Sequence, residues 1–254
     1  MQGASGARHA VPEAPTGMLA LVGGDEFNPG NEEQDRMLAR AAGRGPAFVV
    51  PTAAARQGPE QAVAHATAWF ERFDLELREL PVLKRTDANS REVADLARSG
   101  GFFYLVGGDP GLVVQVLQGT RVWTSMFQAW RDGASLAGSS AGAMALCTHT
   151  LIRAGWPDRT QRRPVDALGV VPNAAVAPHF EKFGQRWVES ARRELPGVTI
   201  LGLDERTAAV WADGEWVAAG PGVVTVIKGA KVERFTSGMK VKGLATPARM
   251  LPTT

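Results

Sequence analysis

The 254-residue chain has one cysteine, Cys147, so it can form no intramolecular disulfide and cannot alone supply a thiolate zinc site. It has one tyrosine and four histidines, a small stock from which any acid–base machinery must be drawn. No apolar run approaches the roughly 18–20 residues needed to span a bilayer, which excludes an integral helical membrane protein. Neither sign of charge dominates: 28 Lys and Arg face 26 Asp and Glu, for a net charge of +2. That balance gives nucleic-acid binding no support. The first seventeen residues are small, polar or proline, without the roughly 7–15-residue apolar stretch of a signal peptide. Residues 1–17 read as a disordered tail, and a cytoplasmic location is the expectation.

What is present is ordinary globular usage, with 44% hydrophobic and 21% charged residues, and this excludes wholesale disorder. The length suits a single α/β domain over 18–228, followed by a short C-terminal extension over 229–254. Apolar runs at 18–22, 47–50, 102–106 and 134–138 read as buried strands. Between them, segments near 31–41, 59–73, 90–98, 111–118 and 123–131 carry helical spacing, and 75–80 alternates like another strand. Strand and helix alternating in this way predict a mostly parallel, doubly wound sheet. Residues 174–180 read as a strand and 181–195 as a helix, and beyond residue 195 four short strands follow in quick succession, with Asp213-Gly214 as a hairpin turn, so antiparallel pairing is expected there. Trp123, Phe127 and Trp130 recur at helical spacing and suit core or a dimer surface better than a ligand cage.

In such a sheet, sites lie in loops at the carboxyl ends of strands. The strongest signal is Gly138-Ser139-Ser140-Ala141-Gly142, a G-x-S-x-G between an expected strand and an expected helix. A sharp turn there lifts the Ser140 hydroxyl above the sheet, and the Ala141 amide can face a developing oxyanion. A nucleophilic serine needs a base. His9 lies in the tail, and His65 sits off the apolar stripe of its helix. His149, read as nine residues further along the helix after Ser140, is about 13 Å away at 1.5 Å per residue. His179, at an expected strand end, remains. Three carboxylates can orient it: Asp204, Glu205 and Asp158. Gly107-Gly108-Asp109-Pro110-Gly111 can supply a second oxyanion amide, and Gly23-Gly24-Asp25-Glu26 is a similar but weaker loop. The order Ser…His, with no later histidine, disfavours an ordinary esterase or lipase.

The landmarks L-V-G-G (21–24), V-G-G-D (106–109), G-S-S-A-G-A (138–143), P-H-F (178–180) and G-L-D-E-R-T-A (202–208) resemble, in this order, the peptidase E and cyanophycinase family of serine peptidases. The resemblance implies a flavodoxin-like α/β fold related to glutamine amidotransferases, no metal or organic cofactor, and a homodimer. It implies Ser140 as nucleophile, His179 as base, and Gly108 and Ala141 as oxyanion donors. The cyanophycinase-like branch points to Glu205 as the triad acid; the peptidase E branch points near Gly155, with Asp158 close by. Asp109 and Arg186 are the expected substrate contacts, Arg186 through bidentate pairing with a carboxylate. The chain's Gly-Gly-Asp-Pro departs from the forms of both branches, which bears on substrate more than on chemistry. The expectation is serine-dependent hydrolysis of short peptides by an exopeptidase or dipeptidase with a preference for Asp. The alternatives are hydrolysis of β-Asp-Arg linkages and a non-catalytic protein that binds peptides or amino acids.

Overall fold

The computed structural model describes residues 16–153 and 162–251; the tail over 1–15 with His9, and Asp158, lie outside the described residues. The first half runs β1 (Leu19–Val22), α1 (Glu32–Arg40), β2 (Ala47–Val50), α2 (Pro59–Phe70), β3 (Leu77–Glu79), α3 (Arg85–Ala88), α4 (Arg91–Arg98), β4 (Phe102–Leu105), α5 (Pro110–Leu117), α6 (Arg121–Arg131) and β5 (Ser135–Ser139). The second half runs α7 (Ala141–Leu146), β6 (Cys147–Arg153), β7 (Arg162–Asp166), β8 (Val171–Ala177), α8 (Val188–Glu194), β9 (Thr199–Leu203), β10 (Ala208–Ala212), β11 (Glu215–Ala219), β12 (Val224–Lys228) and β13 (Lys231–Phe235).

Two sheets result. The larger has the order β11-β10-β1-β5-β4-β2-β3. Its members β3-β2-β4-β5-β1 are parallel, in a flavodoxin-like order with β1 in last place, and β10 and β11 extend it antiparallel. Every residue of β1, β2, β4 and β5 is buried, because helices cover both faces. Successive side chains serve opposite faces. Leu19 and Leu21 join the core that holds Trp123, Phe127 and Trp130, whereas Ala20 and Val22 join the one that holds Trp69 and Phe70. The aromatics of α6 are therefore core.

The smaller sheet has the order β13-β12-β9-β8-β6-β7, with β6, β8 and β9 parallel and the remaining pairs antiparallel. It corrects two local expectations. The helix after Ser140 ends at Leu146, and His149 lies on β6, where its Nδ1 is 3.3 Å from Asp166 Oδ1. Threonines at 148 and 150 favour extended backbone, and β7 and β8 supply the partners. The expected helix over 181–195 is shortened to α8. The amides of Lys182, Phe183 and Gly184 all turn back to the His179 carbonyl, at 3.0, 3.0 and 3.1 Å, so a tight turn replaces its start. The starts of α4 and α5 follow residues whose side chains cap them. Ser90 Oγ accepts the Val93 amide at α4, and Asp109 Oδ1 accepts the Gly111 and Leu112 amides at α5, with Pro110 in its first turn. No helix of the described residues is long and apolar enough to cross a membrane.

Candidate active site

Ser140 alone makes the corner between β5 and α7, with φ 46° and ψ −106°, a conformation costly for any residue with a side chain. Flanking glycines let the corner close. A Cβ on Gly138 would sit 2.5 Å from the Gly142 carbonyl carbon, and one on Gly142 would sit 2.3 Å from the Leu105 oxygen. The Ser140 amide donates to Val22 O at 2.9 Å, which ties the corner to β1. The hydroxyl is left facing a cavity.

His179 follows β8 by two residues and also has a positive φ, 47°. Its amide donates to Gly23 O at 2.8 Å, and Phe183 stacks on its ring with centroids 4.9 Å apart. Room for the ring comes from Gly24, where a Cβ would lie 2.3 Å from His179 Cε1. Ser140 Oγ is 3.1 Å from His179 Nε2, and His179 Nδ1 is 2.7 Å from Glu205 Oε1. A carboxylate can only accept, so Nδ1 carries the proton and Nε2 is left to accept from the serine.

Glu205 is nearly buried yet doubly paired. Lys182 Nζ donates to Oε2, and the Glu205 amide donates to Glu181 Oε2 at 3.1 Å. Burial opposes its charge, but hydrogen bonds from Lys182 and His179 and the Lys182 charge outweigh this and hold the carboxyl below its ordinary value. Asp204, one residue earlier, is engaged elsewhere: its Oδ2 accepts the Val223 amide at 2.9 Å. Partial burial pushes the Asp204 carboxyl up. Of the two described acids that the sequence left open, Glu205 meets the imidazole.

The cavity above Ser140 has a volume of about 710 Å³ and is lined by Gly108, Asp109, His179, Phe183 and Trp187, and by three arginines, Arg56, Arg153 and Arg162. Gly108 has φ 141°, and a Cβ there would lie 2.3 Å from Ala53 O, so its backbone reaches the cavity only as glycine. Asp109 lines the same wall while capping α5. Arg153 and Arg162 are cross-strand neighbours on β6 and β7, and Arg162 lies 4.3 Å above the Trp187 ring. Burial, then the neighbouring Arg153 charge, lowers the Arg162 guanidinium's pKa. Two adjacent like charges at a cavity rim are stable with an anion between them. Arg186 lies elsewhere, in an adjoining cavity of about 650 Å³ that shares Arg153, Arg162, Phe183 and Trp187 with the first.

The sequence alone did not single out Lys182, Arg56, Arg153 or Arg162. Lys182 lay in what read as a helix, and the arginines converge from a loop after β2 and from two strands of the smaller sheet. Their spacing along the chain carries no period that would group them.

The fold and this geometry define a serine hydrolase on a flavodoxin-like scaffold. The family model for Peptidase family S51 matches residues 18–218, and the chain belongs to that family, which makes it a peptidase of the serine class. It is 30% identical over 225 residues to the cyanophycinase of Trichormus variabilis, an alignment that spans 85% of this chain and 75% of that one. It is also 30% identical over 221 residues to the cyanophycinase of Synechococcus elongatus, over 83% of this chain and 67% of that one. The crystal structure of a peptidase from an acI-B1 actinobacterium superposes with a TM-score of 0.78 at 32% identity, covering 89% of this chain and 96% of that one. A putative peptidase E from Listeria monocytogenes shares the fold, with a TM-score of 0.54 at 16% identity over 87% and 99% of the two chains.

Proposed function

We propose that the protein cleaves short peptides as an exopeptidase or dipeptidase, with Ser140, His179 and Glu205 as its triad and a preference for substrates bearing Asp. The observation that carries the reading is the pair of hydrogen bonds from Ser140 to His179 and from His179 to Glu205, 3.1 and 2.7 Å long. In this mechanism Ser140 Oγ attacks the scissile carbonyl while His179 Nε2 takes its proton. The Gly108 and Ala141 amides receive the oxyanion, and His179 then delivers the proton to the leaving amine. Water, activated by the same imidazole, hydrolyses the acyl-enzyme. Glu205 holds the tautomer and stabilises the imidazolium that forms. The cavity of about 710 Å³ suits a peptide of a few residues, and its arginines suit an acidic side chain or a terminal carboxylate.

A second reading, hydrolysis of β-Asp-Arg linkages, is favoured by the identity to the two cyanophycinases. The arginine-rich rim disfavours it, since a substrate guanidinium would meet like charge. A panel of Asp-X, X-Asp, neutral and β-Asp-Arg dipeptides, assayed for released amino acids, separates the readings. Ser140→Ala is expected to remain folded and to lose on the order of 10³-fold or more in kcat. An unchanged rate in that variant would end the serine mechanism.

A further inference from the structure

Glu26 lies in the loop between β1 and α1, away from the nucleophile, the base and the acid in sequence, yet its two oxygens serve two different segments of the site. Oε1 accepts the Gly107 amide at 2.6 Å, and Oε2 accepts the Ser139 hydroxyl at 2.8 Å. Gly107 immediately precedes Gly108, and Ser139 immediately precedes Ser140. The carboxylate therefore bridges the loop after β4 to the corner after β5. Gly107 leaves the space for it, since a Cβ there would lie 2.8 Å from Glu26 Oε1.

The loop that delivers Glu26 is itself tightly held. Asp25 and Phe27, on either side, have φ of 56° and 60°, values that a non-glycine residue keeps only under strong constraint. Asp25 Oδ2 lies 3.2 Å from Arg206 Nε, Asn28 Nδ2 donates to Asp25 Oδ1 at 2.9 Å, and the Phe27 ring packs 4.9 Å from that of Tyr104. An ordinary surface glutamate needs no such support.

We propose that Glu26 is a positioning residue for oxyanion stabilisation, setting the Gly108 amide relative to the Ala141 amide. This rests on the serine-peptidase reading above. Glycine backbones turn freely, so a Gly107-Gly108 pair holds an amide in one direction only if anchored. On one side the anchor is Glu26; on the other it is the Asp109 amide, which donates to Ala53 O at 2.9 Å. A carboxylate suits the task because both of its partners donate. Glutamine could keep both bonds, its oxygen accepting the Gly107 amide and its NH₂ donating to the Ser139 hydroxyl, whereas methionine, of similar length, can make neither. Oxyanion donors stabilise the transition state by being in place beforehand, so a small misdirection acts on turnover rather than on substrate binding.

The test compares wild type, Glu26→Met, Glu26→Gln, Ser139→Ala and the double variant Glu26→Met with Ser139→Ala, by steady-state kinetics on the best peptide of the panel and by the rate of phosphonate labelling of Ser140. The expected result for Glu26→Met, which can make neither bond, is a loss of about 10- to 100-fold in kcat with KM within about threefold. Labelling should slow in parallel, because the phosphoryl oxygen uses the same two amides. Glu26→Gln should keep a larger share of kcat than Glu26→Met, because it can keep both bonds. Ser139→Ala should lose less than Glu26→Met, and the double variant should be no worse than Glu26→Met alone. Glu26→Met turnover within twofold of wild type, a loss confined to KM, or a Glu26→Gln loss as large as that of Glu26→Met would each overturn the inference. If Glu26→Met does not fold, Ser139→Ala decides it: kcat within twofold of wild type overturns the inference, and a clear loss at unchanged KM supports it. A wild type that neither turns over any peptide nor takes the label would overturn the peptidase reading and this inference with it. An active wild type with a normal Glu26→Met overturns this inference alone.

Discussion

Glu205→Gln keeps the shape of the acid in the proposed triad and changes only what its two atoms can do. In the native site Oε1 accepts from His179 Nδ1 and Oε2 accepts from Lys182. Lysine has only donors, so in the variant it claims the one remaining carboxamide oxygen and turns the NH₂ toward His179. Nδ1 must then accept, the ring proton moves to Nε2, and Ser140 at 3.1 Å loses its base. Forcing the wrong tautomer in a triad costs on the order of 10⁴ in kcat, or about 5.5 kcal/mol of transition-state stabilisation. The assay is kcat on the best dipeptide across pH 6 to 9, with thermal melting as a control for folding. Adding Lys182→Met to Glu205→Gln frees the amide to flip, and kcat should recover by about tenfold. A Glu205→Gln enzyme that keeps more than a tenth of wild-type kcat would refute Glu205 as the residue that orients His179. No recovery in the double variant would refute the role given to Lys182.

Gly24→Ala should fold and lose most of its activity, since its Cβ would stand 2.3 Å from His179 Cε1 and its φ of 115° disfavours alanine. Turnover and the labelling rate of Ser140 check this, and near-normal values for both would refute it. Asp35 gives a pH-dependent case. It is fully buried, with Oδ2 accepting from Trp69 Nε1 at 2.8 Å and Oδ1 without a hydrogen-bond partner among the described residues. Burial pushes its carboxyl up to about 8 from an ordinary 3.8, so the native state keeps a proton that the unfolded chain releases. Its contribution to stability is whole below the unfolded value and is lost as pH rises towards 8. Asp35→Asn should therefore match wild type near pH 4 and be more stable at pH 8, the gap widening by at most about 1.4 kcal/mol per pH unit. Denaturant unfolding at three pH values tests this, and a gap independent of pH would refute it.

Much of the architecture was legible in the sequence because local pattern carries it. The run AFVV coincides with β2 at 47–50, and FFYL within the run at 102–106 forms β4. Both are apolar throughout because helices cover both faces of the sheet. The Ser140 corner was legible for a related reason: only small residues can pack at Gly138 and Gly142, so the steric demand is written into adjacent positions. His179 could be found because histidines are few and strand ends are where sites lie.

Tertiary structure decided the rest. Where α7 ends and β6 begins depends on β7 and β8, which pair with a segment that helical spacing alone had extended through His149. The choice between Asp204 and Glu205 depends on which neighbour turns toward the imidazole, since one carboxylate is drawn to the Val223 amide and the other to His179 and Lys182. The bridge that Glu26 makes to Gly107 and Ser139 joins residues 81 and 113 positions apart, and Arg56, from the loop after β2 of the larger sheet, meets Arg153 and Arg162 of the smaller one at the cavity. Periodicity records which face of one element is buried. It holds no record of which distant loop that face will meet, because that contact is set by strand order and by the closing of the two sheets around a common site.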